Sequence, residues 1–447
     1  MLLKVRNLLS AGFIVFLLCC CHLSAQVPKP VGLLHPDSLK STVFAPLTDS
    51  SKTDSVLVQL LKQYPEYFDT VLKNTKRWNV QFIYTRIDKG ANGIPALKNY
   101  YFNVNPANYF YPASTVKLPV CLLALQRLNE LKQQGIDKNS TMITEAKGDG
   151  QTRVYNDPST PDGKPSIAQY IKKILLVSDN DAFNRLYEFL GRKYINEQLH
   201  QKGYTDIQIL HRLDIQLTAQ QNRSTNPVNF FGPDNRIIFS QPAQYDSSIS
   251  VKRTDSLGSG YLKDGALINS SMDFSDKNRI SLQDLHNILL SVVFPEKVPA
   301  SQRFNITADD RIFLLKYMSE LPTESQYPPY AADTVTYWPA YCKFLLFGSE
   351  AGAIPKNIRI FNKVGDAYGQ LTDVAYIVDF DKKIEFFLSA TMYCNSDGIL
   401  NDDKYDYENT GFPFMKHLGE VIYQLELNRQ KKIEPDLSKL MFNYDGH

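Results

Sequence analysis

Ser114-Thr115-Val116-Lys117 sets a hydroxyl and an amine three residues apart. On a helix, residues at this spacing are neighbours on one face, so the two groups would meet. A helix N-terminus would also aim backbone N–H groups and a positive dipole end at the serine, as a developing oxyanion requires. A lysine shielded from water there has its pKa lowered and can take the serine proton. The chemistry is acyl transfer, with Ser114 as nucleophile and Lys117 as its base. Ser114 is the only serine in the chain followed by a lysine three positions later. A lone pair of this kind is still more often an N-cap serine beside a surface lysine.

Two later groups add to it. Ser178-Asp179-Asn180 occurs once and falls between two helical segments. Its serine would relay a proton to the leaving group, and Asn180 would hydrogen-bond a substrate amide. All three residues are equally good N-caps for a helix over Ala182 to Leu190. Lys363-Val364-Gly365 lies between strand-like segments. There Lys363 would hold an anionic substrate group, and Gly365 would let substrate lie against the strand edge. Lys263-Asp264-Gly265 fits the same pattern, but it is set aside because it lies in irregular sequence without flanking strands.

The elements that must position these groups follow from periodicity. Leu118 to Leu131 is apolar almost all round, which predicts a buried central helix directly behind Ser114, with Gly135 as a stop. Ser55 to Lys73 has helical spacing interrupted by Pro65. Further helices are expected over Ile167–Val177, Ala182–Leu190, Ser281–Phe294, Ala308–Leu321 and Phe414–Leu427. Strands are expected over Asn79–Ile87, Tyr100–Val104, Ile358–Lys363, Thr372–Phe380 and Ile384–Tyr393. Strands at both ends need neighbours, so they should share one sheet in a single fold with helices between. From about residue 220 to 276 the pattern breaks, which reads as an insertion, with disorder or a small hairpin as alternatives.

The chain has 447 residues, 43% hydrophobic and 21% charged, with a formal charge of +2. That leaves no basic excess for a nucleic-acid partner. The six cysteines and seven histidines form neither a CxxC nor an HExxH pair, so neither a metal nor a cofactor is expected. Cys121, Cys342 and Cys394 could form one disulfide at most.

SxxK, SDN and KxG in this order resemble the motif set of class A β-lactamases and penicillin-binding proteins. The resemblance runs from about Ser55 to the end, apart from the insertion. It implies an α/β (α+β) fold: a five-stranded antiparallel sheet flanked by helices, plus an all-helical subdomain with the site between. It also implies Ser114 as the acylated nucleophile, Lys117 as its base or proton partner, Ser178 as proton shuttle, and Asn180, Lys363 and Gly365 as substrate contacts. The expected ligand is a small molecule or peptide carrying an anionic group.

Two departures qualify this. Class A enzymes carry a water-activating Glu in an Arg-x-Glu-x-x-Leu-Asn run, whereas here the run is Arg212-Leu213-Asp214-Ile215-Gln216-Leu217-Thr218. Asp214 is one methylene shorter and general-base geometry tolerates little slack, so Asp214 is either a catalytic base or a loop residue paired with Arg212. Val364 replaces the family's hydroxyl residue in KTG. Acylation is therefore expected to be better supported than β-lactam turnover. The open functional readings are a β-lactamase-like hydrolase, a penicillin-binding-type peptidase or esterase, and a non-enzymatic exported binding protein.

Lys4, Arg6 and the apolar run Ala11 to Cys21 read as an export signal with cleavage after Ala25. Residues 26–53 read as a linker and 54–447 as the hydrolase domain. Cys19 to Cys21 leave open a lipoprotein anchored to the membrane, as an alternative to a periplasmic protein. Oligomeric state is not legible.

Overall fold

The computed structural model describes residues 51–90, 93–147, 152–248 and 250–444. The expected signal segment and most of the expected linker lie outside these residues. Within the described residues, Lys52 already pairs with Val104. No helix among them is long and apolar enough to cross a membrane.

Five strands form one antiparallel sheet: β1 (Gln81–Lys89), β2 (Pro95–Phe102), β3 (Ile358–Ala367), β4 (Gln370–Asp379) and β5 (Ile384–Tyr393). Their order is β3-β4-β5-β1-β2, so chain start and chain end meet where Gln81 to Arg86 pairs with Phe386 to Thr391. Two strands run further than expected. β3 continues past Lys363 to Ala367, and β2 begins at Pro95 rather than Tyr100. Every residue of β4 is buried, as expected of a strand covered on both faces.

Alternation along the strands sorts side chains between two cores. On one face Ile83, Ile87, Phe361, Val374 and Phe387 join the large core of α3 (Lys117–Glu130), α4 (Ile167–Val177), α5 (Asn180–Leu190), α6 (Arg192–Gln201), α7 (Leu282–Val293) and α8 (Ala308–Ser319). On the other, Phe82, Tyr84, Ile360, Val364 and Leu388 pack with α1 (Ser55–Leu61), α2 (Pro65–Leu72) and α9 (Phe412–Asn428). Pro65 splits the first apolar stretch and starts α2 at its first turn, where a missing N–H costs nothing. Helix α6 was not expected, because its sequence is mostly polar and buries only Arg192, Ile195 and Leu199.

Residues 220–276 contain short paired strands. Val228–Phe231 lies between Thr141–Thr144 and Ile237–Gln241, and Gly260–Lys263 pairs with both Ala266–Ile268 and Ile399–Leu400. Lys263-Asp264-Gly265 thus does have flanking strands: Asp264 (φ 50°) and Gly265 (φ 79°) form their hairpin turn. The three cysteines Cys121, Cys342 and Cys394 are buried free thiols.

Candidate active site

Ser114 lies in a 3-10 turn, Ala113–Val116, that runs directly into α3. Three residues per turn stacks Ser114 over Lys117 more closely than an α-helix would. Ala113 takes φ 44°, a left-handed conformation rare for a residue with a Cβ. Lys117 is 0% exposed. Its Nζ donates to Ser114 Oγ at 2.8 Å, to Asn180 Oδ1 at 2.6 Å and to the Ser178 carbonyl oxygen, with Ser178 Oγ 3.3 Å away. Three close acceptors can hold an ammonium, but burial and then the Lys363 charge hold its pKa well below the ordinary lysine value.

Ser178 ends α4 in the left-handed conformation, φ 60°. Its N–H reaches the Ile174 carbonyl and the next N–H, of Asp179, reaches that of Lys173, which closes the helix end. Asp179 then caps α5, its carboxylate accepting from Ala182 N at 2.7 Å. Helix α5 begins at Asn180, two residues before the expected start. Capping by Asp179 therefore leaves Ser178 and Asn180 free to face Lys117. The tight reversal turns the carbonyl, hydroxyl and amide of Ser178 and Asn180 toward Lys117.

Lys363 shares the sheet face of Phe361 and is 2% exposed. Its Nζ donates to Ser178 Oγ at 2.7 Å and to the Val364 carbonyl at 2.8 Å, and burial lowers its pKa. Val364 points the other way, into the core under α9, so that position presents no side chain to the site. Gly365 also lies against the nucleophile turn. A Cβ there would lie 2.7 Å from the Pro112 carbonyl oxygen, 2.8 Å from Thr115 N and 2.9 Å from Ser114 N. Its bareness lets β3 abut the backbone of the nucleophile turn.

Ser114, Lys117, Ser178, Asn180 and Lys363 thus form one hydrogen-bonded cluster. Asp214 is not in it. It is exposed, at φ 54°, and lines the same cavity of ≈ 380 Å³ as Ser114 and Asn180. It does not pair with Arg212, whose guanidinium is buried against Glu188, with Nη2 to Oε1 at 2.7 Å. That pair anchors the loop and leaves Asp214 facing the cavity. Among the described residues no group of three or more His, Cys, Asp or Glu could hold a metal.

A family model described as the beta-lactamase enzyme family matches residues 65–303, more than half of the chain. The chain belongs to the beta-lactamase enzyme family. The match includes Ser114, Lys117, Ser178, Asn180 and Asp214 and ends before β3. Similar solved structures include a class A beta-lactamase from Clostridium kluyveri, 14% identical, TM-score 0.44, over 80% of this chain and 98% of that one. A beta-lactamase from Burkholderia phymatum is 14% identical, TM-score 0.44, over 82% and 99%. One from Sphaerobacter thermophilus is 13% identical, TM-score 0.42, over 79% and 94%. No curated protein matches.

In this beta-lactamase-family chain, sequence reading missed the cavity walls. Asp366, Asp403, Tyr111 and Tyr368 line the space over Ser114. Asp366 directly follows Gly365, so extending the expected strand three residues past Lys363 would have found it. Tyr368 and Gly369 (φ 53° and 75°) are the two-residue turn between β3 and β4, a Tyr-Gly pair that was legible as a hairpin. Asp403 arrives from a distant loop with no local signal. Asp366 is open to the cavity yet walled by protein, and loss of water raises its pKa while Lys363 and Lys117 pull it back.

Proposed function

We propose that this chain is an exported serine hydrolase that acylates Ser114 with an amide or ester substrate. The observation that carries the reading is the buried Lys117 amine 2.8 Å from Ser114 Oγ, with Ser178 Oγ between it and Lys363. Neutral Lys117 takes the hydroxyl proton as the Oγ–carbon bond forms. The proton then passes by way of Ser178 to the departing amine or alkoxide as the carbon–nitrogen or carbon–oxygen bond breaks. Water completes hydrolysis by displacing Ser114 from the acyl group.

Deacylation is the weaker half. Asp214 faces the cavity with no hydrogen bond among the described residues to orient its carboxylate, on a side chain shorter than the family's Glu. This supports a long-lived acyl-enzyme of the penicillin-binding type over rapid β-lactam turnover.

Intact-mass measurement tests both halves. The mature protein and Ser114→Ala are incubated with a penicillin and, separately, with a neutral activated ester. A persistent adduct absent from Ser114→Ala supports acylation with slow release. A transient adduct with consumption of penicillin would make the chain a β-lactamase, and loss of that turnover in Asp214→Asn would make Asp214 its water-activating group. No adduct from either reagent overturns the reading.

A further inference from the structure

We propose that the cavity over Ser114 selects an acyl substrate bearing a positively charged amine, recognised by Asp366, Asp403 and Asp214, rather than one bearing a carboxylate. The proposal rests on the hydrolase reading, since it names what the same cavity would take. The carboxylates are not offered as a site of their own. They wall a cavity that already contains the nucleophile and the Asn180 side-chain amide.

Three observations carry it. First, no lysine or arginine lines this cavity among the described residues. The cation expected to greet an anionic group, Lys363, is 2% exposed and committed to Ser178 Oγ and the Val364 carbonyl. Second, Asp214, Asp366 and Asp403 are all open to the cavity, and none of their three carboxylates takes part in a hydrogen bond or ion pair among the described residues. An incoming carboxylate would meet three carboxylates, with Lys363 and Lys117 acting on Asp366 from outside the cavity lining, whereas an ammonium would meet three partners without displacing any.

Third, the wall between them is aromatic. Tyr111 and Tyr368 meet edge to face at 5.2 Å, and buried Phe274 backs Tyr368 at the same separation. Tyr111 is buried, so the half-buried Tyr368 ring is the one an ammonium group could meet beside the carboxylates. The chain supplies a precedent: Lys277 lies 5.8 Å over the Tyr368 ring, and lines the larger adjoining cleft rather than this cavity. Phe274 belongs to the irregular stretch before α7, so that stretch shapes the site by holding the rings in place.

The test uses three activated esters with one acyl skeleton ending in an ammonium, a hydroxyl or a carboxylate. We expect kcat/KM for the ammonium ester to exceed that for the carboxylate ester by about tenfold or more, an advantage that shrinks as salt is raised. In Asp366→Asn/Asp403→Asn the ratio of the two should fall toward one. Equal rates, a preference for the carboxylate ester, or a preference that survives the double substitution would each overturn the proposal. Binding of the corresponding stable amides to Ser114→Ala, followed by calorimetry, separates it from the hydrolase reading. If no ester reacts, tighter binding of the ammonium amide still supports the cation site. Equal or weaker binding refutes it whatever the kinetics.

Discussion

Lys363 and Ser178 lie 185 positions apart in the chain and meet in a 2.7 Å hydrogen bond, Nζ to Oγ. The contact ties the edge strand β3 to the turn between α4 and α5. Since Lys117 Nζ lies 3.3 Å from the same oxygen, the Ser178 hydroxyl bridges the two lysines. Ser178→Ala removes the bridge and leaves the buried Lys363 amine with the Val364 carbonyl. Acylation, followed by stopped-flow or mass, should slow by about 10²-fold, the ordinary contribution of one positioned proton-transfer group. An unchanged rate would remove Ser178 from the proton path.

Lys117 predicts the pH profile. Burial and Lys363 favour the uncharged amine, so its pKa lies well below 10.5. As base, the amine must be neutral, so acylation should rise with pH and level off well before an ordinary lysine would titrate. Lys117→Ala should lose about 10³-fold or more and lose this limb of the profile. A profile still rising at pH 10 would mean that the amine is not held neutral.

Each motif of the cluster was legible because its own spacing is local, although the motifs lie far apart. Ser114 and Lys117 lie three residues apart at the head of an apolar run, and the end of α4 is marked by the same triplet that starts α5. β5 matched its expected range because Ile384, Phe386, Leu388, Ala390 and Met392 alternate as the apolar side chains of one face. What was not legible depends on distant pieces of chain or on direction. Arg212 looked like a partner for Asp214 two residues away, but the loop turns it inward to Glu188 on α5. Val364 looked like a lost substrate contact, yet strand alternation points it into the opposite core. Asp403 reaches the cavity, and Phe274 the back of Tyr368, from segments with no periodic pattern, and only the folded chain brings them there.

Gly365→Ala probes the contact between β3 and the nucleophile turn. The new Cβ would meet backbone atoms of Pro112, Ser114 and Thr115 at 2.7–2.9 Å, none of which can swing aside. The turn must shift, and small displacements of a nucleophile are costly, so kcat/KM should fall by about 10²-fold. The apparent affinity for substrate should change less than kcat. Wild-type kinetics in this variant would show that the turn has slack the packing does not suggest.

His286 offers a stability test away from the site. It is 0% exposed on α7, with Nε2 2.9 Å from Thr85 Oγ1 on β1 and Nδ1 2.8 Å from Ser389 Oγ on β5. Burial pushes its pKa down to about 4 from 6.5. The unfolded chain therefore binds the histidine proton between these values and the folded chain does not. Stability should fall as pH drops from 6.5 toward 4 and lose nothing more from this group below 4. The shift corresponds to roughly 3 kcal/mol at most. His211 has the same shift, so the comparison must be with His286→Gln, whose chemical-denaturation midpoint should depend less steeply on pH in that window. Equal pH slopes in the two proteins would mean that His286 is already protonated when folded, with one of its hydroxyl partners accepting at each nitrogen.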